Sequence, residues 1–154
     1  MSIYLPALLI GVVAGLRTMT APAAVSWAAY LGWLPLRATP LAFLGATVTP
    51  YIFTLLAIGE LITDQLPNTP SRKVPVQFGA RLVSGGLCGA AIGAAGGALA
   101  GGLVAGVVGA VIGTLGGYEA RVALAKAMGR DQPAGALEDL VAIGSAAVIV
   151  AVLV

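Results

Sequence analysis

Residues 59–81 read GELITDQLPNTPSRKVPVQFGAR and form the longest break in an otherwise apolar chain. The break holds two of the six acids, Glu60 and Asp64, and three of the eight bases, Arg72, Lys73 and Arg81. One apolar run ends in it and another starts from it, so it divides the 154 residues into two similar halves. Charges placed beside so much hydrocarbon need a physical reason.

Hydrophobic residues make up 59% of the chain and charged residues only 9%. A soluble domain carries roughly a quarter of its residues charged, so a water-facing surface could not be covered here. The expectation is a single integral membrane domain over 1–154, an all-α polytopic bundle of transmembrane helices with the lipid bilayer as its first partner. Apolar sequence begins at Ile3 and runs to the last residue, so no soluble extension is expected at either end. The opening MSIYLPALLIG lacks the basic start of a cleaved signal peptide, and Arg17 falls where cleavage would occur, so the segment is expected to stay.

Several chemistries are set aside by composition. Histidine is absent, which removes the commonest general base and metal ligand. Cys88 is the single cysteine, and its neighbours Gly86, Leu87, Gly89 and Ala90 make it a small packing residue. No metal, cofactor or enzymatic reaction is expected. Eight bases scattered among apolar spans form no patch of the kind a nucleic acid backbone needs.

Outward from the break, about six membrane segments emerge, the first two short or broken. Residues 3–36 are interrupted at GLRTMTAP, 15–22, and read as two segments, 3–16 and 20–35. Arg17 cannot face lipid cheaply, at about 2.5–3.5 kcal/mol in mid-helix. Pro22 suits a first helical turn, and Thr18 or Thr20 can cap it. Trp27, Tyr30 and Trp33 gather before Arg37 as interfacial aromatics do. The third span, 41–66, carries Pro50 in its middle, where a kink is expected. It ends with Glu60 and Asp64 four residues apart, stacked on one helical face.

Leu82–Tyr118 contains no charge and is too long for one crossing of roughly 20 residues. Two helices are expected to turn near Gly101 and Gly102. Gly85, Gly89, Gly93, Gly97 and Gly101 recur every four residues, and Gly109, Gly113 and Gly117 repeat the pattern, which lets helices approach closely. That groove serves packing within the chain or a homo-oligomer through helices of 82–118. Glu119, Arg121 and Lys126 follow, Gly129 reads as a helix stop, and the last span opens at Gly135 with Glu138 and Asp139 in its first turn, complementing the dipole.

With six segments, the odd-numbered connections carry Arg17, Arg72, Lys73, Arg81, Arg121, Lys126 and Arg130, the even-numbered ones only Arg37. The positive-inside rule then makes loops 67–80 and 126–135 cytoplasmic. A single crossing by 3–36 would move only the N-terminus. Similar motifs at 15–18, 79–81 and 135–139 suggest internal repeats, with halves 1–66 and 79–154 joined by loop 67–78 as a 3+3 inverted repeat.

Three bases and five acids from span ends can pair: Arg17, Arg81 and Arg121 with Glu60, Asp64, Glu119, Glu138 and Asp139. Two functions follow. A small transporter or channel would bind an ion or small polar solute in a charged vestibule near the cytoplasmic side, with Glu60, beside Asp64, carrying protons and Arg17, Thr18 and Thr20 forming the counter-site. A glycine-packed structural or accessory protein would use the same charges as a salt-bridge belt.

AGLRTMTAPA at 14–23, GELITDQLPNTPSR at 59–72 and ALEDLVAIGSAAV at 136–148 resemble a bacterial family of small integral membrane proteins known as a domain of unknown function. The resemblance covers nearly the whole chain. It implies a protein of the bacterial inner membrane with these polar motifs near helix ends, and it implies no substrate.

Overall fold

The computed structural model describes residues 2–68 and 70–153. Among them are six α-helices and no strand: α1 Tyr4–Leu16, α2 Thr20–Tyr30, α3 Thr49–Thr63, α4 Pro75–Ala95, α5 Leu99–Met128 and α6 Asp131–Val152, with a 3-10 turn at Ala42–Gly45. Three of them, α4, α5 and α6, are long and apolar enough to cross a membrane, fewer than the six spans expected. The shortfall is one of length. The 13 residues of α1 rise about 20 Å, against a hydrocarbon core of about 30 Å.

Glycine decides the core. Gly85 and Gly89 of α4 face Gly106, and Gly93 faces Ala98 and Gly102, so these helices cross antiparallel. A Cβ on Gly89 would lie 2.7 Å from the Gly106 Cα, and one on Gly93 would lie 2.8 Å from the Gly102 Cα. The other face of α5 receives α1: Gly109 and Gly113 press on Leu8 and Val12, while Gly15 approaches Ala110 and Thr114. The stripe therefore does its packing within the chain. Between α4 and α5, α1 buries Ala7, Ile10, Val13 and Ala14.

Several expectations on the elements change. The α4–α5 turn comes at Gly96–Ala98, where Gly97 takes a φ of 74°, and not at Gly101–Gly102. Gly101 and Gly102 lie inside α5, against the Tyr4 ring and the Gly89 backbone. Pro50 makes no kink because it stands in the first turn of α3, where no N–H is needed. Residues 41–48 stay out of that helix, and the Thr49 hydroxyl donates to the Phe43 carbonyl at 2.7 Å. Last, α6 starts at Asp131, about one turn earlier than expected, one residue after the left-handed Gly129 that stops α5. Glu138 and Asp139 therefore lie well inside α6, and its first-turn acid is Asp131.

The helix α3 packs chiefly against α2 and the 3-10 turn. The Trp27 indole donates to Thr54 at 3.0 Å, and its ring meets Tyr30 and Tyr51 edge-on. Leu55, Ile62, Val104, Val108 and Leu140 all stand exposed, on surfaces that suit a hydrocarbon solvent.

Candidate functional site

The site grows from the interruption at 17–19. Arg17 leaves the helical conformation at φ −137°, ψ 115°, which ends α1 and takes backbone groups on both sides of the break out of the helical ladder. Neighbouring helices supply the missing partners. The Glu60 carboxylate accepts from the Thr18 N–H at 2.7 Å and the Met19 N–H at 2.8 Å, putting negative charge at the positive end of α2. Neither threonine hydroxyl caps this turn, so the expected cap is replaced by an acid from α3. Arg81 answers the other end: its Nη1 donates to the Gly15 and Leu16 carbonyls, both at 2.8 Å, at the negative end of α1. Ser84 donates to the Thr18 carbonyl at 2.5 Å.

Around this break the ions pair. Arg17 is 0% exposed and bridges Asp64 at the end of α3 and Asp139 of α6. Gln65 donates to Asp139 at 3.4 Å. Arg72 makes a two-pronged bond to Glu138 at 2.5 and 2.8 Å, and both side chains are buried. Arg121 grips Asp131 at 3.0 and 2.7 Å and reaches Glu138 at 3.5 Å. Taking a charge out of water costs several kcal/mol, so such groups persist by pairing. Arg81 pairs most loosely: it is 3% exposed, its Nε, like that of Arg17, has no partner, and its Nη2 stands 3.9 Å from Glu60 Oε1.

Of the residues singled out in the sequence, Arg17, Thr18, Glu60, Asp64, Arg81, Arg121, Glu138 and Asp139 meet in this network. Glu119 does not. Its side chain is 72% exposed and pairs outside with Lys73 at 3.4 Å, while Lys73 also covers the Tyr118 ring. Arg72, expected in a loop and lying in one, is nevertheless a central member. Gln65, Ser84 and Asp131 also join unannounced. Asp131 and Arg72 each sit beside a proline- or glycine-rich loop in sequence, and nothing local marks them as partners of α5 and α6.

Two adjoining clefts, each about 470 Å³, open onto the network, and a third of about 570 Å³ meets only its Arg121–Asp131 edge. The first is lined by Thr18, Met19, Glu60, Thr63 and Asp64, and no basic residue borders it. The second is lined by Arg72, Arg81, Arg121, Asp64 and Asp131. They adjoin, sharing Asp64, Leu66, Pro70 and Gln77. Arg17 borders neither. Among the described residues, no three His, Cys, Asp or Glu side chains come together as metal ligands.

The chain matches no protein-family model, no curated protein and no solved structure.

Proposed function

We propose that the protein is a small transporter or channel of the bacterial inner membrane, moving an ion or small polar solute through a vestibule formed by the two adjoining clefts. The carrying observation is that two clefts reach a layer of acidic and basic side chains inside the helix ends. Arg81 lies six residues into α4 and Glu138 seven residues into α6, about 9–10 Å from those ends. Ionised groups at such depth ordinarily mark a solute path. In this reading α1 to α6 form a multi-pass bundle whose charged face, with loops 67–80 and 126–135, is cytoplasmic. Glu60 and Asp64 are the proton-carrying candidates and Arg17 the fixed countercharge. Copies could associate, although the glycines of α4 and α5 are already occupied, so the outward row Val104, Val108 and Ile112 would make the contact.

The test is flux into liposomes for a panel of inorganic ions and labelled small metabolites. Glu60→Gln and the charge-conserving Arg17→Lys should each lower flux severalfold while the protein remains monodisperse. Unchanged flux in both variants would sink the assignment.

A second reading has its own observation. Arg17 is wholly buried, and the α1, α4 and α5 core is closed backbone to backbone. A structural or accessory subunit with a salt-bridge belt would look the same at these positions. It predicts no flux of any solute and co-purification with a larger membrane complex.

A further inference from the structure

We propose that the vestibule takes a small zwitterion, a solute carrying an ammonium and a carboxylate on one short frame. This rests on reading the clefts as a solute site and adds the class of solute. The two clefts differ in sign. Glu60 and Asp64 line the first, and their partners Arg81 and Arg17 do not, whereas Arg72, Arg81 and Arg121 line the second. The boundary between them is spanned by one ion pair. Glu60 lines the first cleft, Arg81 lines the second, and their 3.9 Å separation is the longest among the ion pairs here.

Arg81 is also the cation with least compensation. It is 97% buried by its 3% exposure, two of its hydrogen bonds go to neutral carbonyls, and its Nε has no partner. A buried guanidinium so placed favours a carboxylate. A lone anion is opposed by the surroundings, because Asp64 and Asp131 line the same cleft and Glu138 lies behind Arg72. A lone cation in the first cleft has Arg17 behind Asp64 and Arg81 beside Glu60. A zwitterion adds no net charge. It lays its ammonium toward Glu60 and Asp64 and its carboxylate toward Arg81, completing the loose pair at both ends. Gln77, which borders both clefts, stands where the middle of the solute would pass.

The experiment is equilibrium binding to the full-length protein in lipid nanodiscs. The probes are neutral amino acids from glycine to leucine, each beside the amine lacking its carboxylate and the acid lacking its amino group, such as alanine with ethylamine and propionate. At least one amino acid should bind, with both its analogues at least about tenfold weaker. Arg81→Gln should erase the preference for the amino acid over the amine, and Glu60→Gln the preference over the acid. Gln77→Leu, on the cleft wall and outside the ion pairs, should weaken binding at least about tenfold without lowering the unfolding temperature. The proposal is overturned if no amino acid binds at millimolar concentration, if either analogue binds as well as its parent, or if Gln77→Leu leaves binding intact. Binding without flux would instead refute transport and leave the zwitterion site standing. Flux of an inorganic ion without amino acid binding would do the reverse.

Discussion

Arg72 and Lys73 are neighbours in sequence with opposite physical fates. The Arg72 side chain is 7% exposed and locked on Glu138, whereas Lys73 is 44% exposed over Tyr118. Removing one partner of a buried pair leaves an uncompensated charge, so Arg72→Ala should destabilise by about 3–5 kcal/mol. Lys73→Ala, at an exposed pair, should cost about 0–1 kcal/mol. Arg72→Met with Glu138→Leu should recover most of the loss, since apolar replacement of both partners removes the desolvation cost as well. Unfolding midpoints in detergent micelles measure all three, and an Arg72→Ala protein as stable as Lys73→Ala would contradict the burial. In the sequence the two residues are indistinguishable. The positive-inside rule accounts for both as loop charges, and only the return of α6 beneath the loop separates them. Arg17 was legible for the opposite reason: hydrocarbon on both sides leaves an arginine no cheap solution except a partner.

At the scale of helices, the four-residue glycine spacing announced a close approach, and α4 and α5 make it. The partner α1 was not announced, because its Gly11 and Gly15 make too short a pattern to read. The position of the turn was also hidden. Gly96-Gly97 and Gly101-Gly102 are equivalent dipeptides, and the choice depends on Gly102 being needed against Gly89. Two outcomes follow for these helices. Gly89→Ala must push the Gly106 backbone aside and should lower the unfolding midpoint clearly. Gly144→Ala, with nothing within 4 Å of the added carbon, should be neutral or stabilising by up to about 1 kcal/mol. Equal midpoints for the two variants would mean that the α4–α5 contact is looser than described. The helix α3 offers a different test, since it rests chiefly on α2 and exposes Leu55, Leu56 and Ile62. Its amides should exchange with deuterium well before those of α4 and α5 in nanodiscs, and Trp27→Ala should speed α3 alone. Protection of α3 equal to that of α4 would show that something further holds it.

Across the whole molecule, charge is segregated more completely than pairing alone requires. All six acids and seven of the eight bases belong to one end of the bundle, with Arg37 alone near the Trp27–Trp33 aromatics. The helices α2, α4 and α6 all leave that end, and the motifs at 15–18, 79–81 and 135–139 lie beside it. Inverted halves would put equivalent motifs at opposite ends, so these three do not argue for that arrangement. They argue for one face with one duty, and the sidedness of that face can be measured. Ser71 is exposed in the loop before α4, and Ala38 is exposed next to Arg37, so each can carry a reporter cysteine. Cys88 is fully buried and leaves a silent background. In intact cells an impermeant maleimide should label Ala38→Cys and spare Ser71→Cys, and in inside-out vesicles the pattern should reverse. The direction follows from seven bases to one, because basic flanks are retained on the cytoplasmic side during insertion. Labelling of Ser71→Cys from outside would invert the molecule and put the clefts, and any solute they hold, on the outer side of the membrane. Labelling of both sites from one side would mean that the chain between them, with the 15-residue α3, does not cross the membrane.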